Sequence, residues 1–410
     1  DILTKDPEVW KKTIFILCYD ENDGYFDHFP PFVPAHPNQP ETGLNSKGLD
    51  TTPEFVTTEQ ESKRSNGGRT GPIGLGFRVP LVIASPWSRG GFVNSEVFDH
   101  TSILQFMELF LSKKTGKPIK ETNISDWRRT VCGDLTSVFR PYTGEKMTMP
   151  KPVPKQEFYE GIHKAQFKKL PEGFKALNEQ EIEALKTKTA NAPYYQEKGI
   201  RPSNALPYEL YSDAKLKDGK LQLTLSAKNK TFGKKAAGSP FHVYEVHDND
   251  VSVRHYTVMA GDSLTDTFSA DYPVRVYGPN GFFREFKVNK AKNRIDVSCL
   301  YNRGLLNNLT GDITLQLANT DDSRSYTVQI IDNGYGAPAK TITLAKAGSK
   351  GSEQRIELDL KRSYNWYDVS VKIDGIDDVA WRYAGRVETG KTGFTDPLIG
   401  REAGQQPPLA

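Results

Sequence analysis

Cysteine is scarce, with three residues in 410: Cys18, Cys132 and Cys299. Their odd number and wide spacing exclude a disulfide framework and a thiolate metal motif, and leave the redox compartment open. Cys18 lies inside an apolar run and reads as a buried thiol. No apolar run approaches the ~18 residues that span a bilayer, so no membrane-crossing helix is expected. Charge of one sign is not in excess either: 54 Lys and Arg face 51 Asp and Glu, a net +3. No nucleic-acid partner is expected on that balance. No Walker loop or dinucleotide fingerprint follows a strand, and Ser85 and Ser88 lack the G-x-S-x-G elbow of a serine hydrolase. A leading Met and an export signal are missing, and Asp1-Ile2-Leu3-Thr4 reads as the middle of a longer chain. What is plentiful is glycine (34), proline (26) and aromatics (11%), a mix suited to turn-rich β structure. The length predicts two to four domains.

The run Thr13-Ile14-Phe15-Ile16-Leu17-Cys18-Tyr19 is nearly continuous in apolar residues. That pattern is expected of a parallel strand buried on both faces of an α/β sheet. It stops abruptly at Asp20-Glu21-Asn22-Asp23-Gly24, and chemistry in open α/β folds sits beyond the carboxyl ends of strands. Arg78 to Pro86 is a second buried-strand candidate, and Pro30 to Gly71 reads as long surface loops. Asp99 is placed to cap a helix that runs from His100 through Phe110. Residues 144–204, rich in Lys, Glu and Pro, read as a connector with one amphipathic helix near Glu179–Lys188.

The apolar period then changes to two. Leu221, Leu223 and Leu225 begin a pattern that returns as Ile313, Leu315 and Leu317, an offset of 92, while Val274 returns as Val369 at 95. Short alternating strands in two copies of about 90 residues predict tandem antiparallel sandwiches. The expected fold is α/β over residues 1–143, followed by all-β sandwich domains at 205–290 and 305–394.

Adjacent carboxylates at a strand end cannot both be buried without partners, since each would cost several kcal/mol. A divalent cation would satisfy Asp20 and Glu21, with His28 as a further ligand or a phosphate donor. Gly24 allows the tight turn this needs. A solvated acidic turn is the plainer alternative.

Tyr19 to Pro31, Y-D-E-N-D-G-Y-F-D-H-F-P-P, resembles the signature of the bacterial phosphoesterase family that contains phospholipases C and a related acid phosphatase. The resemblance continues through Ser85–Ser102, Asn123–Arg129 and Cys132–Ser137, where it is nearest to the phosphocholine-specific branch. The two β modules look like that branch's tandem C-terminal domains. The resemblance implies an alkaline-phosphatase-like α/β domain that cleaves phosphodiesters through a hydroxyl nucleophile. It assigns Asp20 and Glu21 to a divalent metal of the Zn, Ca or Mg class. His28 and His100 correspond to active-site histidines that bind phosphoryl oxygens or protonate the leaving diacylglycerol. It also implies a phospholipid substrate at a membrane surface, and a secreted or periplasmic location. The family's Glu-Asn metal pair and its Thr or Ser nucleophile have no counterpart here. This chain is therefore expected to be a C-terminal portion, inactive without the missing N-terminal half of the catalytic domain.

Asp27, Arg128 and Arg129 are the candidate substrate-binding residues. Asp27 either orients His28 or caps its turn. The two guanidinium forks suit phosphate oxygens, or else clamp a loop. Alternation along strands accounts for His242, His247 and His255. The aromatics of Tyr277–Phe286 and Trp381–Tyr383 read as sandwich core or as a choline- or membrane-contact patch. The resulting expectation is a phospholipase C that cleaves phosphatidylcholine-type lipids, with sphingomyelin as a second substrate, to diacylglycerol and phosphocholine. The alternatives are a non-catalytic lipid- or surface-binding β protein and an acid phosphatase of the same family.

Overall fold

The computed structural model describes residues 2–63, 68–144, 154–170, 172–186, 198–248, 250–289 and 291–400. These fall into two compact units, Asp1–Arg140 with Gly199–Ala410, and Pro141–Lys198.

In the first unit, β1 (Phe15–Cys18) pairs antiparallel with a later strand, Leu81–Ala84, with Phe15 opposite Ala84. The expected parallel strand buried on both faces is therefore not what forms. Phe15, Leu17 and Val82 point outward, 37%, 48% and 51% exposed. Cys18 is only half-buried. An apolar run states that both faces need cover but not the direction of its neighbour, and the described residues cover one face.

Residues 30–71 are not surface loops throughout. Phe32, Ala35, Thr51 and Glu54 are buried, and β2 (Gly43–Asn45) joins a large sheet as its edge strand. Gly43 permits the approach, because a Cβ there would lie 1.9 Å from the His255 carbonyl oxygen, at φ +122°. Gly43→Ala should lower stability by ~2 kcal/mol or more, read as a urea midpoint. An unchanged midpoint would show that the strand is not held this way.

With Leu81–Ala84 as β3, helices α1 (His100–Thr115) and α2 (Asp126–Val131) complete this segment. On α1, Leu104, Met107, Leu109 and Phe110 are 44–53% exposed. Trp127 of α2 is fully buried, and its indole N–H donates to Thr257 Oγ1 at 2.8 Å. The second unit holds α3 (Lys155–Ala165), which the connector reading did not anticipate, and α4 (Glu179–Lys186). Residues 187 and 188 of the expected helix lie outside the described residues.

Seven strands then follow in one order, twice. The first copy has β4 (Leu210–Lys217), β5 (Lys220–Ala227), β6 (Ser239–Val246), β7 (Val251–Val258), β8 (Ser263–Ser269), β9 (Val274–Tyr277) and β10 (Phe283–Lys287). The second has β11 (Ile295–Arg303), β12 (Leu309–Asn319), β13 (Tyr326–Asp332), β14 (Lys340–Leu344), β15 (Glu353–Leu358), β16 (Trp366–Ile373) and β17 (Ile376–Arg386). Strand β11 lies ahead of the expected start at 305. The first, second and fifth strands of each copy form a three-stranded sheet, ordered β8-β5-β4 and β11-β12-β15. The two L-x-L-x-L-type runs occupy the central strands β5 and β12. The other four strands of each copy do not stay apart. β10 pairs antiparallel with β17, Phe286 opposite Trp381, giving the order β14-β13-β16-β17-β10-β9-β6-β7-β2. One continuous cluster of buried apolar side chains underlies both copies.

Arg284 sits at this junction, fully buried. One guanidinium nitrogen donates to the carbonyls of Phe283 and Ala384 at 2.8 and 2.7 Å, and the other to Tyr367 Oη at 2.9 Å. The rings of Phe282 and Tyr383 lie 4.0 and 5.2 Å from its carbon. Carbonyls and π faces from both copies thus take the place of a counter-ion.

Candidate active site

β1 runs out at Cys18, and Tyr19 N–H still donates to the Pro80 carbonyl at 3.1 Å. Asp20 and Glu21 follow directly, both exposed. The chain then reverses through Asp23 and Gly24, whose φ angles of +58° and +77° are left-handed. Asp is tolerated there and Gly favoured.

The opposite side of the site comes from α1. Asp99 caps the helix by accepting from Ser102 N–H at 3.2 Å, while Ser102 Oγ accepts from Asp99 N–H at 3.1 Å. The expected cap is therefore present. It puts His100 at the first helical position, where Nε2 lies 3.0 Å from the Tyr19 carbonyl oxygen. The acidic strand tip and His100 are thereby brought together.

The approach to that helix is braced from below. Glu96 is largely buried beside Ser137, and burial raises its carboxyl to about 7. A Cβ on Gly133 would meet the Glu96 carboxyl, so a larger residue where that loop passes would have to displace the Glu96 side chain. Val97 N–H donates to Tyr208 Oη at 3.1 Å, fixing the approach to the β region.

Asp27 pairs with Arg78 at 3.0 Å. Among the described residues Asp27 forms no hydrogen bond or ion pair with His28, which is exposed. Phe29, next to His28, stacks on His242 with ring centroids 5.7 Å apart and planes at 7°. Phe32 meets the same imidazole edge-on at 4.8 Å. His242 is 1% exposed and sits directly across the sheet from His255, rings 5.1 Å apart. Neither nitrogen of His242 has a partner, nor does Nδ1 of His255. Alternation along strands accounts for both histidines in the sequence, but nothing there pairs them with Phe29.

The two arginines are occupied. Arg128 grips Glu54 with Nε and Nη2, both at 2.9 Å, holds Asp99 at 2.6 Å and donates to the Gly74 carbonyl at 2.6 Å. Arg129 forms a two-pronged pair with Glu108 at 2.9 and 2.7 Å and donates to the Glu121 carbonyl. This geometry is that of the loop clamp, and a phosphate would have to displace carboxylates from both forks. Glu54, the centre of the clamp, was missed because a lone Glu in a Thr-Pro-Glu turn carries no periodic signal. Ser85 Oγ accepts from the Trp87 and Ser88 amides, and Ser88 Oγ donates to the Ile83 carbonyl. Both hydroxyls shape the turn after β3.

Asp20 and Glu21 have the hard oxygen donors a divalent cation takes. Among the described residues, however, no three His, Cys, Asp or Glu side chains converge on one point that could hold it. The residues present therefore do not complete a metal site, and no chemical step is derived through one.

Residues 1–110 match the phosphoesterase family, and residues 202–287 match the bacterial phospholipase C C-terminal domain. The non-hemolytic phospholipase C of Pseudomonas aeruginosa is 37% identical over 98% of this chain and 54% of its own length. The hemolytic phospholipase C of the same organism is 34% identical over 97% and 53%. Phospholipase C A of Mycobacterium tuberculosis is 40% identical over 36% and 25%. The chain spans about half the length of the two Pseudomonas relatives. Residues 1–110 are thus a phosphoesterase-family domain and residues 202–287 a bacterial phospholipase C C-terminal domain, in a chain whose similarity to phospholipases C runs nearly from end to end.

Proposed function

We propose that this chain supplies part of the active site of a phospholipase C. Its substrates would be phosphatidylcholine-type lipids, with sphingomyelin second, and its products diacylglycerol and phosphocholine. The observation that carries this reading is the meeting of His100 with the Asp20-Glu21 strand tip, 3.0 Å from the Tyr19 carbonyl, inside the phosphoesterase match. An exposed imidazole there can donate a proton to the glycerol oxygen as the phosphorus–oxygen bond breaks. His28, in the loop that follows the acidic tip, would bind phosphoryl oxygen. Asp20 and Glu21 would contribute two carboxylates to a divalent cation whose remaining ligands lie elsewhere in the protein.

The nucleophile would come from another part of the catalytic domain. In support, Phe15, Leu17 and Val82 on the sheet and Leu104, Met107 and Phe110 on α1 are exposed apolar side chains, 37–53% accessible. Clustered surfaces of that kind mark a contact that has yet to be made. A lipid substrate also suits a secreted or periplasmic protein.

The test is expression of the encoding reading frame with any sequence upstream of Asp1, followed by phosphocholine release from phosphatidylcholine vesicles. Residues 1–410 alone should show no turnover, and the longer product should be active. His100→Gln in the active protein should reduce kcat by roughly 10²–10⁴-fold. A frame as long as the relatives that cleaves no choline phospholipid would sink the proposal. A frame that begins at Asp1 would remove its catalytic part.

A further inference from the structure

The second β copy contains a cavity of about 460 Å³ that has no part in the site above. It opens between the β13–β14 connection and the β15–β16 connection, where the two sheets part at their flank. Its volume lies in the ~300–1,000 Å³ range of small-molecule sites. The floor is apolar, with Ile330, Leu360, Tyr367 and Val369 all under a tenth exposed.

The rim carries Lys340, Lys361 and Arg362, all exposed. Lys340 Nζ donates to the Glu357 carbonyl at 3.1 Å, strapping β14 to β15 across one lip. No salt bridge is formed by any of the three among the described residues. The acids of the wall are turned to other partners, Asp368 to a guanidinium and Asp332 and Asp359 to backbone amides. Asp332 accepts from the amides of Gly334, Tyr335 and Ala337 at 2.8–2.9 Å. Asp368 is gripped by both prongs of Arg382 at 2.8 and 2.6 Å. Asp359 accepts from the Lys361 amide at 2.9 Å. An apolar floor beneath three exposed cations that form no ion pair among the described residues suits a hydrocarbon chain that ends in an anion.

The geometry points to a binding site for a single-chain anionic amphiphile, its hydrocarbon chain in the slot and its carboxylate or phosphate at Lys361 and Arg362. This site is independent of the phosphodiesterase reading, since none of its residues belongs to the phosphoesterase match.

Calorimetric titration of the whole chain with dodecanoate, below its micelle concentration, should show saturable binding of one molecule. Trp366 in the wall should change its fluorescence in parallel. Dodecyltrimethylammonium should bind at least about tenfold more weakly, and so should dodecanoate to the Lys361→Glu/Arg362→Glu variant. Both substituted side chains are exposed, so that variant should fold. Leu360→Trp, which fills the floor, should abolish binding while leaving the far-ultraviolet dichroism unchanged. Vesicles that contain phosphatidylglycerol distinguish the source. If they compete with dodecanoate, the amphiphile is one that a membrane can present; if they do not, it is taken from solution. The inference is overturned if dodecanoate does not bind, if the cationic amphiphile binds equally well, or if binding survives in the charge-reversed variant.

Discussion

Acidification from about pH 7.5 to pH 5 should cost the parent chain roughly 4 kcal/mol relative to a His242→Phe/His255→Phe variant. Burial is the main cause. It lowers His242 from 6.5 to about 3, with the charge of His255 adding to the effect, and it lowers His255 to about 4. Depressed imidazole values mean that the folded state needs both rings neutral. Their contribution is intact above the unfolded value of 6.5 and is lost as pH falls from there toward 3–4. At pH 5 each ring accounts for roughly 2 kcal/mol. The groups that face the pair are Tyr244 and Tyr277, and no carboxylate acts on either ring.

Four carboxyls work in the opposite sense, Glu388 and Asp396 among them, both raised chiefly by burial. Glu96 is raised to about 7 and Asp213 to about 6, chiefly by burial. Their protonated forms are favoured in the folded state, so acidification relieves a penalty of roughly 2 kcal/mol for Glu96 and a little less for Asp213. On acidification the double variant's urea midpoint should thus rise relative to the parent's. The imbalance should also show locally. Because Phe29 and Phe32 pack on His242, amide exchange in residues 25–36 should accelerate on acidification in the parent and not in the variant, after correction for intrinsic rates. Parallel pH profiles in the two proteins would dismiss the assignment.

Replacing Arg284 with Ala should be the most damaging single change in the β region, at about 3–5 kcal/mol. It removes the donors to two carbonyls and a tyrosine hydroxyl, and it leaves a cavity within a fully buried ring cluster. Since those acceptors come from both copies, the loss should act on both. Chemical denaturation of the parent should show one transition for the β region, and the variant should keep one transition at a lower midpoint. Separate unfolding of residues 205–290 in the parent would contradict a shared core. Arg284→Lys should recover little, because a single ammonium cannot span three acceptors set at the reach of a planar fork.

Much of the site was legible because local chemistry encodes it. The Asp20-Glu21 tip follows from an apolar run that stops on charges, and the position of His100 follows from Asp99 as a cap. Strands β5 and β12 announce themselves by alternation. Other features depend on partners far along the chain. The run Thr13–Tyr19 is compatible with either strand direction, so the antiparallel pairing with β3 was not readable. A guanidinium fork fits carboxylate as well as phosphate, and only Glu54 and Glu108 decide how Arg128 and Arg129 are used. In Phe282-Phe283-Arg284-Glu285-Phe286 the alternation puts Arg284 on the same face as Phe286. A charged residue there would ordinarily reverse the assignment, yet the inward placement is the one that forms. The union of the two four-stranded sheets left no trace in composition, because edge-to-edge pairing is made by backbone groups.

That union has the logic of a symmetric dimer written into a single polypeptide. Last strand meets last strand antiparallel, so each copy offers the other the same surface, as in an isologous interface. β4 and β11 meet alongside, where Cys299 N–H donates to Asp213 Oδ1 at 3.2 Å. A contact of this kind closes on itself, and no third copy can be added there. What breaks the symmetry is β2, which seals the outer edge of the first copy while β14 ends the sheet on the other side. The duplicated halves therefore have different neighbours despite a common plan, and the second copy keeps the flank on which an edge strand and an adjoining cavity lie open.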